Sequence, residues 1–85
     1  MEITLEDDHF IVSFFANFVN AAEKVYDENN NLIKFKKIGE LMLEDSPNYN
    51  NKEELIRMAE FCIKLCSRNK VLHRFSNPII KNTNN

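Results

Sequence analysis

Phe10-Ile11-Val12-Ser13-Phe14-Phe15-Ala16-Asn17-Phe18-Val19-Asn20-Ala21-Ala22-Glu23-Lys24-Val25 carries the apolar spacing on which the architecture turns. Ile11, Phe15, Phe18, Ala22 and Val25 follow one another at alternating steps of four and three, the spacing that lines one helical face. Phe10, Phe14, Val19 and Ala21 widen that face on both flanks. Upstream, Thr4 followed three residues later by Asp7 approximates a capping box. The pattern predicts a first helix over about residues 5–27, buried on more than one side. Each buried Phe would contribute roughly 1.5–3 kcal/mol, making this helix the main source of core stability.

Working outward, Asn29-Asn30-Asn31 reads as a turn, because Asn tolerates positive φ better than most residues. Residues 25–35 then admit a short hairpin, with Ile33 and Phe35 facing one way and Lys34 and Lys36 the other. Phe35, Ile38 and Met42 sit at helical steps opposite Lys34, Lys37, Glu40 and Glu44, and predict a second helix over 34–45. Gly39 inside it costs about 1 kcal/mol relative to Ala, or lets another helix approach closely. Ser46-Pro47-Asn48-Tyr49-Asn50 ends that element.

A third helix is expected over 51–69, capped by Asn50 with Glu53 or by Asn51 with Glu54. Leu55, Met58, Cys62, Leu65 and Asn69 form its apolar stripe, broadened by Ala59, Ile63 and Cys66. Lys52, Glu60, Lys64 and Ser67 form the wet side, with Glu60 and Lys64 as an i,i+4 pair. Residues 70–76 read as a short C-terminal helix or an extended segment, stopped by Ser76-Asn77-Pro78, and 79–85 as a frayed tail. The fold expected is therefore all-α, a small three-helix bundle forming a single domain over 1–85.

Composition narrows the function. Eighty-five residues make one domain, and 44% apolar with 28% charged residues is ordinary globular usage. A single Gly excludes Gly-rich phosphate loops. The run Phe10–Val19 is broken by Ser13 and Asn17 and is half the length a membrane span needs, so no membrane association is expected. Acidic residues rather than basic ones precede it, which argues against a signal peptide. Two cysteines suit a reducing compartment, so the chain is expected in the cytoplasm, or in a host-cell cytoplasm if viral. Thirteen Asn, with abundant Lys, Ile and Phe, point to an AT-rich genome such as that of a low-GC bacterium, its phages or a protist.

Charge is unevenly spread. Residues 1–31 hold seven acids against Lys24, whereas no acid follows Glu60 and Lys64, Arg68, Lys70, Arg74 and Lys81 all do. Complementation of helix dipoles accounts for such a pattern, and so does an anionic partner. Nucleic-acid binding through 64–81 would use Lys64, Arg68, Lys70, His73, Arg74 and Lys81, with Phe75 as a stacking ring. A helix-turn-helix docking is disfavoured, because Glu53 and Glu54 would sit where base contacts are made.

Other chemistry is sparse. Cys62 and Cys66 share one helical side, and His73 and His9 would complete four zinc-type donors, but the spacing lacks a second close pair. Core packing is the reading preferred for both thiols, and no metal or cofactor is expected. His9 beside Asp7 and Asp8 suggests proton transfer, yet none of Ser13, Ser46, Ser67 and Ser76 lies in a nucleophile elbow. A chain this short commits most apolar side chains to its core, so neither catalysis nor a small-molecule substrate is expected. Seven Phe exceed the obvious needs of one small core, and surplus aromatics mark partner surfaces. The function expected is a non-catalytic regulator, inhibitor or adaptor of the phage or mobile-element accessory kind, docking on another protein or on itself as a homodimer. Its docking residues would be Phe10, Phe14, Tyr26, Arg68, Arg74 and Phe75.

Overall fold

The computed structural model describes residues 2–82. Five strands form one antiparallel sheet: β1 (Glu2–Glu6), β2 (Phe10–Phe15), β3 (Phe18–Tyr26), β4 (Leu32–Met42) and β5 (Ile79–Asn82), in the spatial order β4-β3-β2-β1-β5. The one helix among the described residues, α1 (Lys52–Cys66), lies against β3 and β4. The all-α bundle is thus corrected to a two-layer sheet-and-helix domain.

The apolar alternation of the decisive stretch has period two. Phe10, Val12 and Phe14 are buried under α1, whereas Ile11, Ser13 and Phe15 line the opposite face. Ala16 and Asn17 turn the chain, with Ala16 at φ 52°, and Phe15 pairs with Phe18. Beyond the turn the parity reverses, so Val19 and Ala21 point inward. Pairing Phe15 with Phe18 and Ile11 with Ala22 puts four members of the supposed helical stripe on the uncovered face. A hairpin folded about Ala16-Asn17 generates the same four-three-four spacing as a helix, and that coincidence explains the misreading.

The turn lacks Gly and is held by distant groups instead. The Asn17 side chain donates to the Leu43 carbonyl (2.8 Å), the Leu43 N–H donates to the Asn17 carbonyl (2.7 Å), and Tyr49 Oη donates to the Ala16 carbonyl (2.6 Å). Thr4 belongs to β1, and Asp7 organises the β1–β2 turn by accepting from the N–H groups of His9 and Phe10. The hairpin expected near 25–35 is present: Asp27 accepts from Asn29 and Asn31, and Tyr26 pairs with Leu32. The second helix is not, since 34–45 falls mostly in β4.

The third helix forms, with Asn51 as its N-cap accepting from the Glu54 N–H, and it ends at Cys66 rather than 69. Its buried face is Leu55, Ala59, Cys62 and Ile63. These meet Ile3, Leu5, Phe10, Val12, Phe14, Val19, Ala21 and Phe75 in one core. Leu65, expected in the stripe, is 43% exposed, and Ser67, expected on the wet side, is buried. Residues 70–76 form neither helix nor strand. Of the supposed frayed tail, 79–82 pair with β1 as β5, and 83–85 lie outside the described residues.

Candidate functional site

The second half of α1 and the segment after it form a firmly held surface. The Ser67 N–H donates to the Ile63 carbonyl, and Ser67 Oγ accepts from the Val71 N–H at 2.7 Å. Lys70, at φ 52°, returns its N–H to the Ser67 carbonyl and its ammonium to that of Leu65. The chain then runs outward and back through Leu72, His73, Arg74 and Phe75. Phe75 is buried, and its N–H donates to Glu60 Oε2 (2.8 Å).

His73 supplies the other anchor. Its Nε2 donates to Asp7 Oδ2 at 2.5 Å, and its ring meets Phe10 and Phe75 edge-on, with His9 nearby. Partial burial raises the Asp7 carboxyl, but the N–H groups of Phe10 and His9 and the His73 imidazole outweigh that and hold it below its ordinary value. Because His73 and Phe75 turn inward, Leu72 and Arg74 turn outward.

Leu72 is 76% exposed. Phe61, which lines the same small depression of about 190 Å³, is 55% exposed, and Leu65 lies one turn beyond Phe61. Glu60, Lys64, His73 and Arg74 complete that depression. Glu60 is also engaged by Phe75 and by Arg74 (3.8 Å), not by Lys64. The result is an exposed apolar trio with cations around it and its one acid already occupied.

The expected docking residues are divided by this fold. Phe10, Phe14 and Phe75 are core residues and offer no docking surface. Tyr26 is 39% exposed, although its hydroxyl donates to the Asp8 carbonyl. Arg68 and Arg74 are exposed, but Arg68 lines a different cleft, of about 740 Å³, with Lys36, Ile38 and Val71. The aromatics assigned to the interior, Phe15 and Phe18, are exposed instead.

The basic set is likewise dispersed. His73 is bound to Asp7, Arg74 to Glu60, Lys81 to Glu6 (3.8 Å) and Lys70 to a helix carbonyl. Cys62 packs in the core with its Sγ 4.0 Å from that of Cys66, and burial, reinforced by that neighbour, pushes its thiol up to about 12. No group of three His, Cys, Asp or Glu among the described residues could hold a metal ion. Among the described residues, no helix is long and apolar enough to cross a membrane.

Phe61 and Leu72 were not singled out from the sequence, and Leu65 was assigned to the buried stripe of the third helix. The signal existed for Phe61, whose helical neighbours Arg57, Lys64 and Arg68 mark the wet face. Leu72 gave none, because its direction follows from the anchoring of His73. Comparison of the chain with family models, curated proteins and solved structures finds no match.

Proposed function

We propose that this chain is a non-catalytic docking module that binds another protein through Phe61, Leu65 and Leu72. The observation that carries the reading is Leu72, a large apolar side chain 76% exposed on a backbone anchored before it at the Val71 N–H and after it at His73 and Phe75. Covering such side chains gains up to roughly 1.5–3 kcal/mol each, and the pinned backbone leaves little ordering entropy to lose. The surrounding charge sets the partner's chemistry. Residues 61–82 carry five cations and no acid, so the complement is an apolar anchor flanked by carboxylates. The depression of about 190 Å³ suits one large apolar side chain.

Selection of a displayed random 12-residue peptide library on the full chain tests this. Enrichment of Leu or Phe flanked by Asp or Glu is expected, with binding abolished by Leu72→Asp. Selected peptides indifferent to that change would overturn the reading.

The all-basic stretch supports a second reading, single-stranded nucleic acid held by Lys64 and Arg68. Phe61 is the one aromatic in the exposed trio, and four of the six expected contacts are tied to protein groups. A labelled 12-nucleotide DNA or RNA whose affinity falls steeply with salt would favour this reading over the first.

A further inference from the structure

The face of the sheet opposite α1 is uncovered, and we infer that it is closed by a second copy of this chain, sheet against sheet. At one end of this face Phe15, Phe18 and Met42, cross-strand neighbours on β2, β3 and β4, are 56%, 38% and 71% exposed. Toward the other end stand Phe35, Leu32 and Tyr26, at 54%, 44% and 39%. Between them lie Thr4, Ser13 and Asn20, then Ile11 and Ala22, paired across β1, β2 and β3, with Glu40 and Lys37 beside them on β4.

Its charges favour a copy over a charged ligand. Glu2, Glu6 and Glu40 balance Lys24, Lys37 and Lys81. Lys24 and Lys81 both reach Glu6, at 3.7 and 3.8 Å, and Lys37 reaches Glu40 at 3.6 Å. A two-fold interface sets each patch against itself, so a net charge would repel its own image, whereas a neutral, internally paired face does not. A two-fold axis running across the strands lays the Phe15–Phe18–Met42 end of each copy over the Phe35–Leu32–Tyr26 end of the other.

The size is sufficient. The 35 strand residues, at about 3.4 Å rise and about 4.8 Å strand spacing, give each copy roughly 570 Å² before side-chain relief is counted. Two copies then bury over about 1,000 Å², the lower bound for a specific interface. The sheet edges are poor alternatives. β5 has four residues, and β4 carries Lys34, Lys36 and Lys37 with irregular register at Ile33 and Ile38. Packing through this face also leaves α1 and Leu72 pointing away from the partner copy.

Light scattering and sedimentation equilibrium of the full chain from 5 to about 200 µM test the proposal, with far-UV circular dichroism as a folding control. The native chain is expected at twice its 10.0 kDa mass in the upper part of that range. Phe15→Lys with Met42→Lys should weaken self-association at least tenfold, while Leu72→Asp leaves it unchanged. A native mass of 10.0 kDa at every concentration overturns the proposal. So does a folded Phe15→Lys, Met42→Lys variant that remains dimeric, since that places the contact elsewhere. If that variant does not fold, Phe18→Ser alone carries the same two outcomes.

Discussion

A Cβ atom placed on Gly39 would lie 2.9 Å from both Cβ and Sγ of Cys66, closer than unstrained carbon and sulfur approach. The last turn of α1 therefore rests directly on the backbone of β4, and the chain's single glycine marks the place.

Substituting that glycine should loosen the two layers. Overpacking of this kind costs about 1–3 kcal/mol, and Gly39→Val should cost more than Gly39→Ala. In a domain of this size, each kcal/mol lowers Tm by about 4–8 °C. Thermal melts of the two variants against the native chain check both the sign and the order.

The hydrogen bond between His73 and Asp7 makes a pH-dependent contribution. Asp7 titrates below its ordinary value of 3.8 when folded. Its stabilisation is thus present above the unfolded value and is lost as pH falls through the folded one. Asp7→Asn should cost about 1.5–3 kcal/mol at pH 7, the worth of hydrogen bonds to a charged group. Urea titrations should show the gap between native chain and variant shrinking below about pH 4.

Adjacent phenylalanines provide the most direct test of the strand reading. Phe14 is fully buried and Phe15 is 56% exposed. Phe14→Ala should cost about 3–5 kcal/mol. Phe15→Ala, measured at low micromolar concentration, should stay within about 0.5 kcal/mol of the native chain. A helix with both rings in its core would show comparable losses for the two.

The thiol of Cys62 should be inert in the folded state, being fully buried and raised to about 12. Iodoacetamide at pH 8 is expected to leave Cys62 unmodified in native protein, and to modify it in guanidinium, as read by peptide mass mapping.

What could be read locally was the part stabilised locally. α1 has its cap at Asn51, acids in the first turn and an uninterrupted apolar stripe, so its existence follows from the order of residues alone. The Asp27–Asn31 turn is equally self-contained, with one carboxylate accepting from two nearby N–H groups. Gly39 was readable in part: a close helical approach occurs there, although the element that carries the glycine is a strand.

The decisive stretch was ambiguous for a physical reason. A two-residue hairpin about Ala16-Asn17 and an α-helix place Ile11, Phe15, Phe18 and Ala22 at the same intervals, and no Asn-Gly or Gly-Gly marks the turn. Hydrogen bonds from Leu43 and Tyr49, 26 and 33 residues away in the chain, hold that turn. The direction of Leu72 depends on Asp7, 66 residues from His73. The order of residues alone is enough for one helix, one Asn-rich turn and an excess of aromatic rings. Which rings are inside, and which cations stay unengaged, was decided only when remote strands paired, because side-chain direction in a sheet is set by register and register by contacts the local chain does not contain.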